Sequence, residues 1–183
     1  MTGLAISGLE TGPGLRRAGG APPRIYGHRG ARGLWPENTI EGLEALRRAG
    51  FDAVEIDVQN ARGVPVLMHD PLMPMQLARD GAGHFLAEPG PPICTMSVAE
   101  LQRHDIGRLN PATAYAARYP DQRPIDGARV PTFQAFCTWA RGAPGMVLNI
   151  EIKSFAHRTD LGDPPEVLAR AVLEPVLADG LGA

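Results

Sequence analysis

Between Ala53 and Val58 apolar and polar positions alternate without a break: Val54, Ile56 and Val58 face one way, Glu55 and Asp57 the other. That period of two predicts a strand. A shorter run, Arg24–His28, reads as a buried strand ending in a Gly-rich bend. Between the two, Ile40, Leu43 and Leu46 fall on one helical face, with Asn38 as N-cap, Glu41 in capping-box position and Gly50 as terminator. Further on, the pattern predicts a strand over Val64–Met68, a short helix capped by Ser97 and Glu100, and a helix from Thr132 through Trp139. A strand over Val147–Ile152 follows, then a helix over Pro165–Ala178 with Pro175 disturbing its last turn.

Strands alternating with helices point to an α/β sheet or barrel. One junction departs from that rhythm, because the residues between Asp57 and Pro65 are too few for a crossover helix. A tight return through Ala61-Arg62-Gly63 resolves it, and a hairpin centred on Gly63 would put Asp57 opposite His69. Residues 71–130, rich in Pro, Gly and Asp, read as a long loop-rich insertion. The expected organisation is a flexible leader over 1–23 followed by one domain over 24–183, with no internal repeat.

Composition narrows the classes of function. With 18 Lys and Arg against 20 Asp and Glu, the chain has no broad basic field to attract nucleic acid or an anionic membrane. No apolar run reaches the roughly 18 residues of a membrane span. Gly and Pro scattered through the first twenty residues do not fit a secretory signal, so the expected location is the cytoplasm. Cys94 and Cys137 match no metal spacing and are expected as buried thiols.

The polar face of the alternating strand carries the chemistry. Carboxylates two residues apart on a strand lie roughly 7 Å apart at Cβ, close enough to share one hard cation. Taken alone, Glu-x-Asp also describes a solvated strand face. On the inward face of a parallel barrel, however, two unpaired carboxylates would be costly. Glu151 has the same standing on its own strand, and Lys153 shares its face and suits a phosphate oxygen. His28 and His69 each follow a strand and precede a turn, and a pair of imidazoles can take and give protons near neutral pH. Arg29 offers a fork for two phosphate oxygens, and Glu37 could hold an imidazole or a metal.

His28-Arg29-Gly30 with Pro36-Glu37-Asn38-Thr39, then Val54-Glu55-Ile56-Asp57-Val58 and Pro65-Val66-Leu67-Met68-His69-Asp70-Pro71, resemble the signature blocks of the glycerophosphodiester phosphodiesterase family. Val130-Pro131-Thr132-Phe133 and Leu148-Asn149-Ile150-Glu151-Ile152-Lys153 resemble its later landmarks in the same order. The resemblance covers about residues 24–180. It implies a TIM-type (β/α) barrel and cleavage of glycerophosphodiesters to glycerol 3-phosphate and an alcohol. By the same resemblance His28 and His69 match the acid/base pair, and Glu55, Asp57 and Glu151 the ligands of a divalent ion, Ca²⁺ or Mg²⁺. Arg29 and Lys153 match the phosphate clamp, and Glu37 a residue near the metal.

A complete barrel of this kind takes about 250 residues, and only four strands are legible before Ala183. The expectation is therefore a barrel truncated to roughly its N-terminal half, a fragment whose open edges could pair with a second copy. Two alternatives to the enzyme stay open. One is a catalytically incompetent half-barrel that binds phosphate or a partner chain. The other is a related lysophospholipid or sphingomyelin phosphodiesterase, for which Leu72, Met73, Met75 and Phe85 would supply an apolar rim.

Overall fold

The alternating segment becomes β1, Ala53–Ala61, the middle strand of a three-stranded sheet in a computed structural model that describes residues 23–155 and 157–182. On one side lies β2, Val64–Leu67, antiparallel to the far half of β1. On the other lies β3, Val147–Ile152, parallel to its near half with Glu55 opposite Asn149 and Asp57 opposite Glu151. Among the described residues the sheet is open and does not close into a barrel. The leader expected over 1–23 lies, up to residue 22, outside the described residues.

The tight return is present, with a register one residue from the expected one. Ala61 pairs with Val64, so the loop is Arg62-Gly63 alone, both residues at positive φ (46° and 86°). Such a two-residue loop matches the right-handed twist of its strands. Met68 N therefore donates to Asp57 O, and Asp57 faces Met68 rather than His69. The strand expected over Arg24–His28 reduces to a single parallel bridge between Gly27 and Val54, with Ile25 and Tyr26 exposed. Gly27 suits the close packing at that bridge: a Cβ there would lie 2.7 Å from Leu46 Cδ1 and force that side chain to shift.

Helix α1 runs Ile40–Arg48 and is capped by Thr39, not Asn38. Thr39 Oγ1 accepts from Gly42 N, while Asn38 holds a left-handed backbone (φ 52°) and spends its side chain elsewhere. Gly50, at φ 89°, ends the helix as expected. The insertion holds more structure than its composition predicts. Besides α2, Val98–Leu101, with its Ser97/Glu100 capping box, it contains a 3₁₀ turn over Ile93–Thr95 and a second short helix, α3, Ala114–Ala117. Helix α4 spans Phe133–Arg141 from its Thr132 cap, and α5 spans Pro165–Ala178 with Pro175 in its last turns.

Alternation sorts the sheet into two cores. Val54, Ile56 and Val58 of β1 pack with Leu67 against Leu43 and Leu46 of α1, Phe133 and Phe136 of α4, and Leu168 and Val172 of α5. The opposite face of the hairpin, Ala61, Val66 and Met68, packs against Met73, Ile93, Leu101 and Val130 of the insertion. The polar positions Glu55, Asp57 and Gln59 lie on that second face and are all buried. Cys137 is buried and Cys94 only half-buried, with its Sγ 3.4 Å from Asp160 O; both thiols are free. Among the described residues no helix is long and apolar enough to cross a membrane.

Candidate active site

Glu55, Asp57 and Glu151 converge where β1 and β3 run side by side. Each offers a carboxylate oxygen, and the three oxygens lie within 4.8 Å of one another. Parallel pairing places Glu151 directly across from Asp57, and the two-residue period brings Glu55 to the same face. Glu55 and Asp57 are buried while Glu151 is exposed, so the cluster opens on one side.

Two oxygens of this cluster, Glu55 Oε1 and Asp57 Oδ1, are buried without a hydrogen-bond partner. Their sister oxygens are engaged: Arg29 N donates to Glu55 Oε2 at 2.7 Å, and Asn38 Nδ2 donates to Asp57 Oδ2 at 2.9 Å. Lys153 Nζ stands 3.0 Å from Asp57 Oδ1 and 2.5 Å from Glu151 Oε1. The first is an ion pair outside hydrogen-bonding geometry. Burial raises the Glu55 pKa above its ordinary value; the Arg29 N–H opposes the rise, and the charges of Asp57 and Glu151 add to it. Buried oxygens without a hydrogen bond in an all-oxygen, electron-rich set suit a hard divalent cation.

The segment His28–Asn38 wraps this cluster through unusual backbone. Arg29, Gly30 and Ala31 all have positive φ (54°, 74° and 65°), as has Asn38. Non-glycine residues rarely adopt that conformation, and such strain concentrates at functional sites. The turn lets Arg29 use backbone and side chain at once. Its Nη1 donates to Glu37 Oε1 at 2.9 Å, and its Nε lies 3.4 Å from Asp57 Oδ2 yet makes no hydrogen bond. Burial works against the Arg29 charge, but Glu37 and Asp57 more than offset it, and the pKa rises. Lys153 follows the same logic, its desolvation outweighed by Glu151 and Asp57.

His28 Nε2 lies 3.7 Å from Glu55 Oε2. Partial burial lowers its pKa, aided by the charges of Arg32 and Arg29 and by His69. His69 leaves the end of β2 and sets its Nδ1 2.7 Å from Asp70 Oδ1. Gln76 Nε2 donates to Asp70 Oδ2 at 2.6 Å, and buried Gln59 donates to the backbone oxygens of Met68 and Asp70. Burial pushes the Asp70 pKa up, but the hydrogen bonds from His69 and Gln76 prevail and hold it below the ordinary value.

Of the residues singled out from the sequence, Glu55, Asp57 and Glu151 cluster, with Arg29, Lys153 and His28 in ion-pair contact with them, while the only ion pair of His69 among the described residues is with Asp70. Glu37 stands apart from the three-carboxylate cluster, bonded to Arg29 on one oxygen and to the Tyr115 hydroxyl on the other. Sequence reasoning missed Asn38 as an Asp57 partner, Gln59 and Asp70 as supports of His69, and Tyr115 altogether. The burial of Gln59 was foreshadowed by its place on the Glu55–Asp57 face. Tyr115 carried no signal, because 78 residues separate it from Glu37.

Comparisons with known proteins show the family of the chain. Residues 28–172 match the model of the glycerophosphoryl diester phosphodiesterase family, and the chain belongs to that family. A solved structure from Silicibacter pomeroyi DSS-3, assigned as a glycerophosphoryl diester phosphodiesterase, is 34% identical with a TM-score of 0.80, over 86% of this chain and 54% of its own. An Oleispira antarctica phosphodiesterase, solved with its product sn-glycerol-3-phosphate, is 26% identical with a TM-score of 0.59, over 85% and 52%. Among curated proteins, the uncharacterized protein YqiK of Bacillus subtilis is 27% identical over 74% of this chain and 47% of its own length. A glycerophosphoinositol inositolphosphodiesterase from Mus musculus is 36% identical over 54% of this chain and 17% of its length. The chain spans about half the length of the two solved relatives and of YqiK.

Proposed function

We propose that the chain carries the catalytic face of a metal-dependent phosphodiesterase that cleaves glycerophosphodiesters to glycerol 3-phosphate and an alcohol. The observation that carries this reading is the three-carboxylate cluster itself: Glu55 Oε1 is buried without a partner, Asp57 Oδ1 meets only the Lys153 ammonium, and His28 and Arg29 lie in ion-pair contact with Glu55 and Asp57. Glu55, Asp57 and Glu151 would hold the ion, Ca²⁺ or Mg²⁺, which when bound supplies Lewis-acid stabilisation of charge on the phosphate. The open sheet then serves as part of a TIM-type barrel.

Arg29 and Lys153 anchor the phosphate oxygens. Arg29 Nε is buried beside Asp57 and Nη1 is bonded to Glu37, so the guanidinium meets a phosphate oxygen through Nη2. His28 and His69 handle two protons: one leaves the nucleophile, the other joins the departing alkoxide. The nucleophile is the substrate's own glycerol hydroxyl, through a cyclic phosphate, or water. Asp70 occupies His69 Nδ1, so Nε2 is the atom of that ring that meets substrate.

The test is release of glycerol 3-phosphate from glycerophosphocholine by the purified chain, with Ca²⁺ or Mg²⁺ and with EDTA. Metal-dependent release that disappears in His28→Ala and His69→Ala, with circular dichroism unchanged, is the expected result. A folded sample that releases nothing in any metal would sink the enzymatic reading and favour a phosphate-binding domain without turnover.

A further inference from the structure

The Tyr115 hydroxyl hydrogen-bonds Glu37 Oε2 from a helix that belongs to the insertion rather than to the sheet. Glu37 is 5% exposed, and its other oxygen takes Nη1 of Arg29 at 2.9 Å. A buried carboxylate in such a position could capture more of the guanidinium than one arm, leaving nothing for a ligand. Tyr115 limits that competition by holding one oxygen and drawing charge from it. Nε stays buried beside Asp57, and Nη2, which makes no hydrogen bond among the described residues, is the arm left for a ligand.

The contact is not isolated. Arg32 Nη1 donates to the Tyr115 hydroxyl at 3.3 Å, and the Arg32 guanidinium lies 5.1 Å from the centre of the Tyr119 ring. Tyr115 and Tyr119 meet edge to face at 5.2 Å. Gln122 Nε2 donates to Arg32 O, and Arg123 N donates to Leu34 O. Residues 115–123 therefore grip the strained 29–38 turn from outside, while Tyr115 alone reaches through to the Glu37–Arg29 pair.

We propose that Tyr115 is a positioning residue for phosphate recognition: through Glu37 it sets how much of the Arg29 fork is free to bind a phosphomonoester or phosphodiester oxygen. The proposal rests on the reading of Arg29 as a phosphate ligand. It does not concern the cation, which the cluster on β1 and β3 would hold without Tyr115.

The experiment is calorimetric titration of the full chain with Mn²⁺ alone, then with sn-glycerol 3-phosphate at saturating Mn²⁺, for wild type, Tyr115→Phe, Glu37→Gln and the double variant. Tyr115→Phe is expected to weaken glycerol 3-phosphate binding about tenfold, with Mn²⁺ affinity kept within about twofold. In the Glu37→Gln background the same change is expected to add nothing, because the hydroxyl acts through that carboxylate. Equal ligand affinity in wild type and Tyr115→Phe would overturn the proposal while leaving the phosphodiesterase reading intact. So would an undiminished Tyr115→Phe effect in the Glu37→Gln background, or loss of Mn²⁺ and ligand binding together with a large drop in Tm, which would mark a purely structural role. A folded wild type that binds Mn²⁺ but no glycerol 3-phosphate would overturn the Arg29 reading and this proposal with it.

Discussion

Asn38 and Asp57 exchange two hydrogen bonds across 19 residues of chain: Asn38 Nδ2 donates to Asp57 Oδ2 at 2.9 Å, and Asp57 N donates to Asn38 Oδ1 at 3.2 Å. Asn38 thus fixes one oxygen of a buried carboxylate and leaves the other, Oδ1, facing Lys153 and the acidic cluster. It does so from the left-handed region, at φ 52°, which asparagine tolerates better than other non-glycine residues.

Two substitutions separate those contributions. Asn38→Ala loses both hydrogen bonds and forces a Cβ-bearing residue without polar compensation into the left-handed region, an expected cost of about 2–4 kcal/mol. Asn38→Gly loses the same bonds but fits the backbone, so its cost is expected to be about 1 kcal/mol smaller. Denaturant unfolding of the three proteins checks the order; equal losses for alanine and glycine would show that backbone strain is not involved.

The same residue marks where the sequence could be read and where it could not. Period-two alternation located β1 and its inward carboxylates because burial on one face leaves a direct trace in residue type. Thr132 and the Ser97/Glu100 pair were legible because capping is local chemistry within four residues. Asn38 reads as a cap because Asn, Asp, Ser and Thr all suit that position. Thr39 beside it won since Asn38 had a distant partner that no local rule reveals. The Gly63 return was legible and its register was not: Arg62 in a left-handed conformation makes a two-residue loop, where a loop centred on Gly63 would shift every pair. The Arg24–His28 run looked buried by composition, yet a strand needs a neighbour along its length, and here only Gly27 has one.

Glu55 is expected to couple stability to pH and to metal. Its pKa in the folded chain is raised, mainly by burial, above the ordinary value of 4.5. The folded state therefore holds that proton more tightly than the unfolded state. The resulting stabilisation is present below pH 4.5 and is lost as pH rises through the elevated folded value. In EDTA the wild type should lose stability relative to Glu55→Gln over that interval, so the variant's Tm advantage grows toward neutral pH. A divalent cation at about 100 times its Kd should return about 2.7 kcal/mol to the wild type and far less to the variant. Thermal melts at pH 4.5 and 7.5, with EDTA and with Mn²⁺, decide it; identical metal shifts in both proteins would remove Glu55 from the cation site.

The hairpin loop offers a stabilising change away from the site. Arg62 adopts φ 46° followed by Gly63 at 86°, a pairing for which Asn-Gly is the preferred sequence. The only ion pair of Arg62 among the described residues, to Glu100 at 3.6 Å, is between exposed side chains and contributes little. Arg62→Asn is expected to raise stability by about 0.5–1 kcal/mol. A lower denaturation midpoint would show that the Glu100 contact outweighs the backbone preference.

Asp70 and His69 give the prediction nearest the chemistry. The 2.7 Å contact at Nδ1 selects the ring tautomer, and Gln76 and Gln59 hold the Asp70 segment so that the ring cannot swing. In Asp70→Asn the amide can present either an acceptor or a donor to Nδ1, so the tautomer is no longer fixed and Nε2 carries the proton in part of the population. Glycerol 3-phosphate release is expected to fall about a hundredfold or more in kcat, with KM nearly unchanged because Arg29 and Lys153 are untouched. Stability shows a separate signature. The Asp70 pKa is held below its ordinary 3.8, so its contribution is present above that pH and lost as pH falls through the folded value. Wild type and Asp70→Asn should therefore differ in Tm at pH 6, and the difference should shrink as pH falls through the lowered folded value. Nitrogen-15 shifts of the His69 ring read the tautomer directly: an Nδ1–H form in wild type and a mixture in the variant are expected, and an Nε2–H form in wild type would rule out Asp70 as the orienting group.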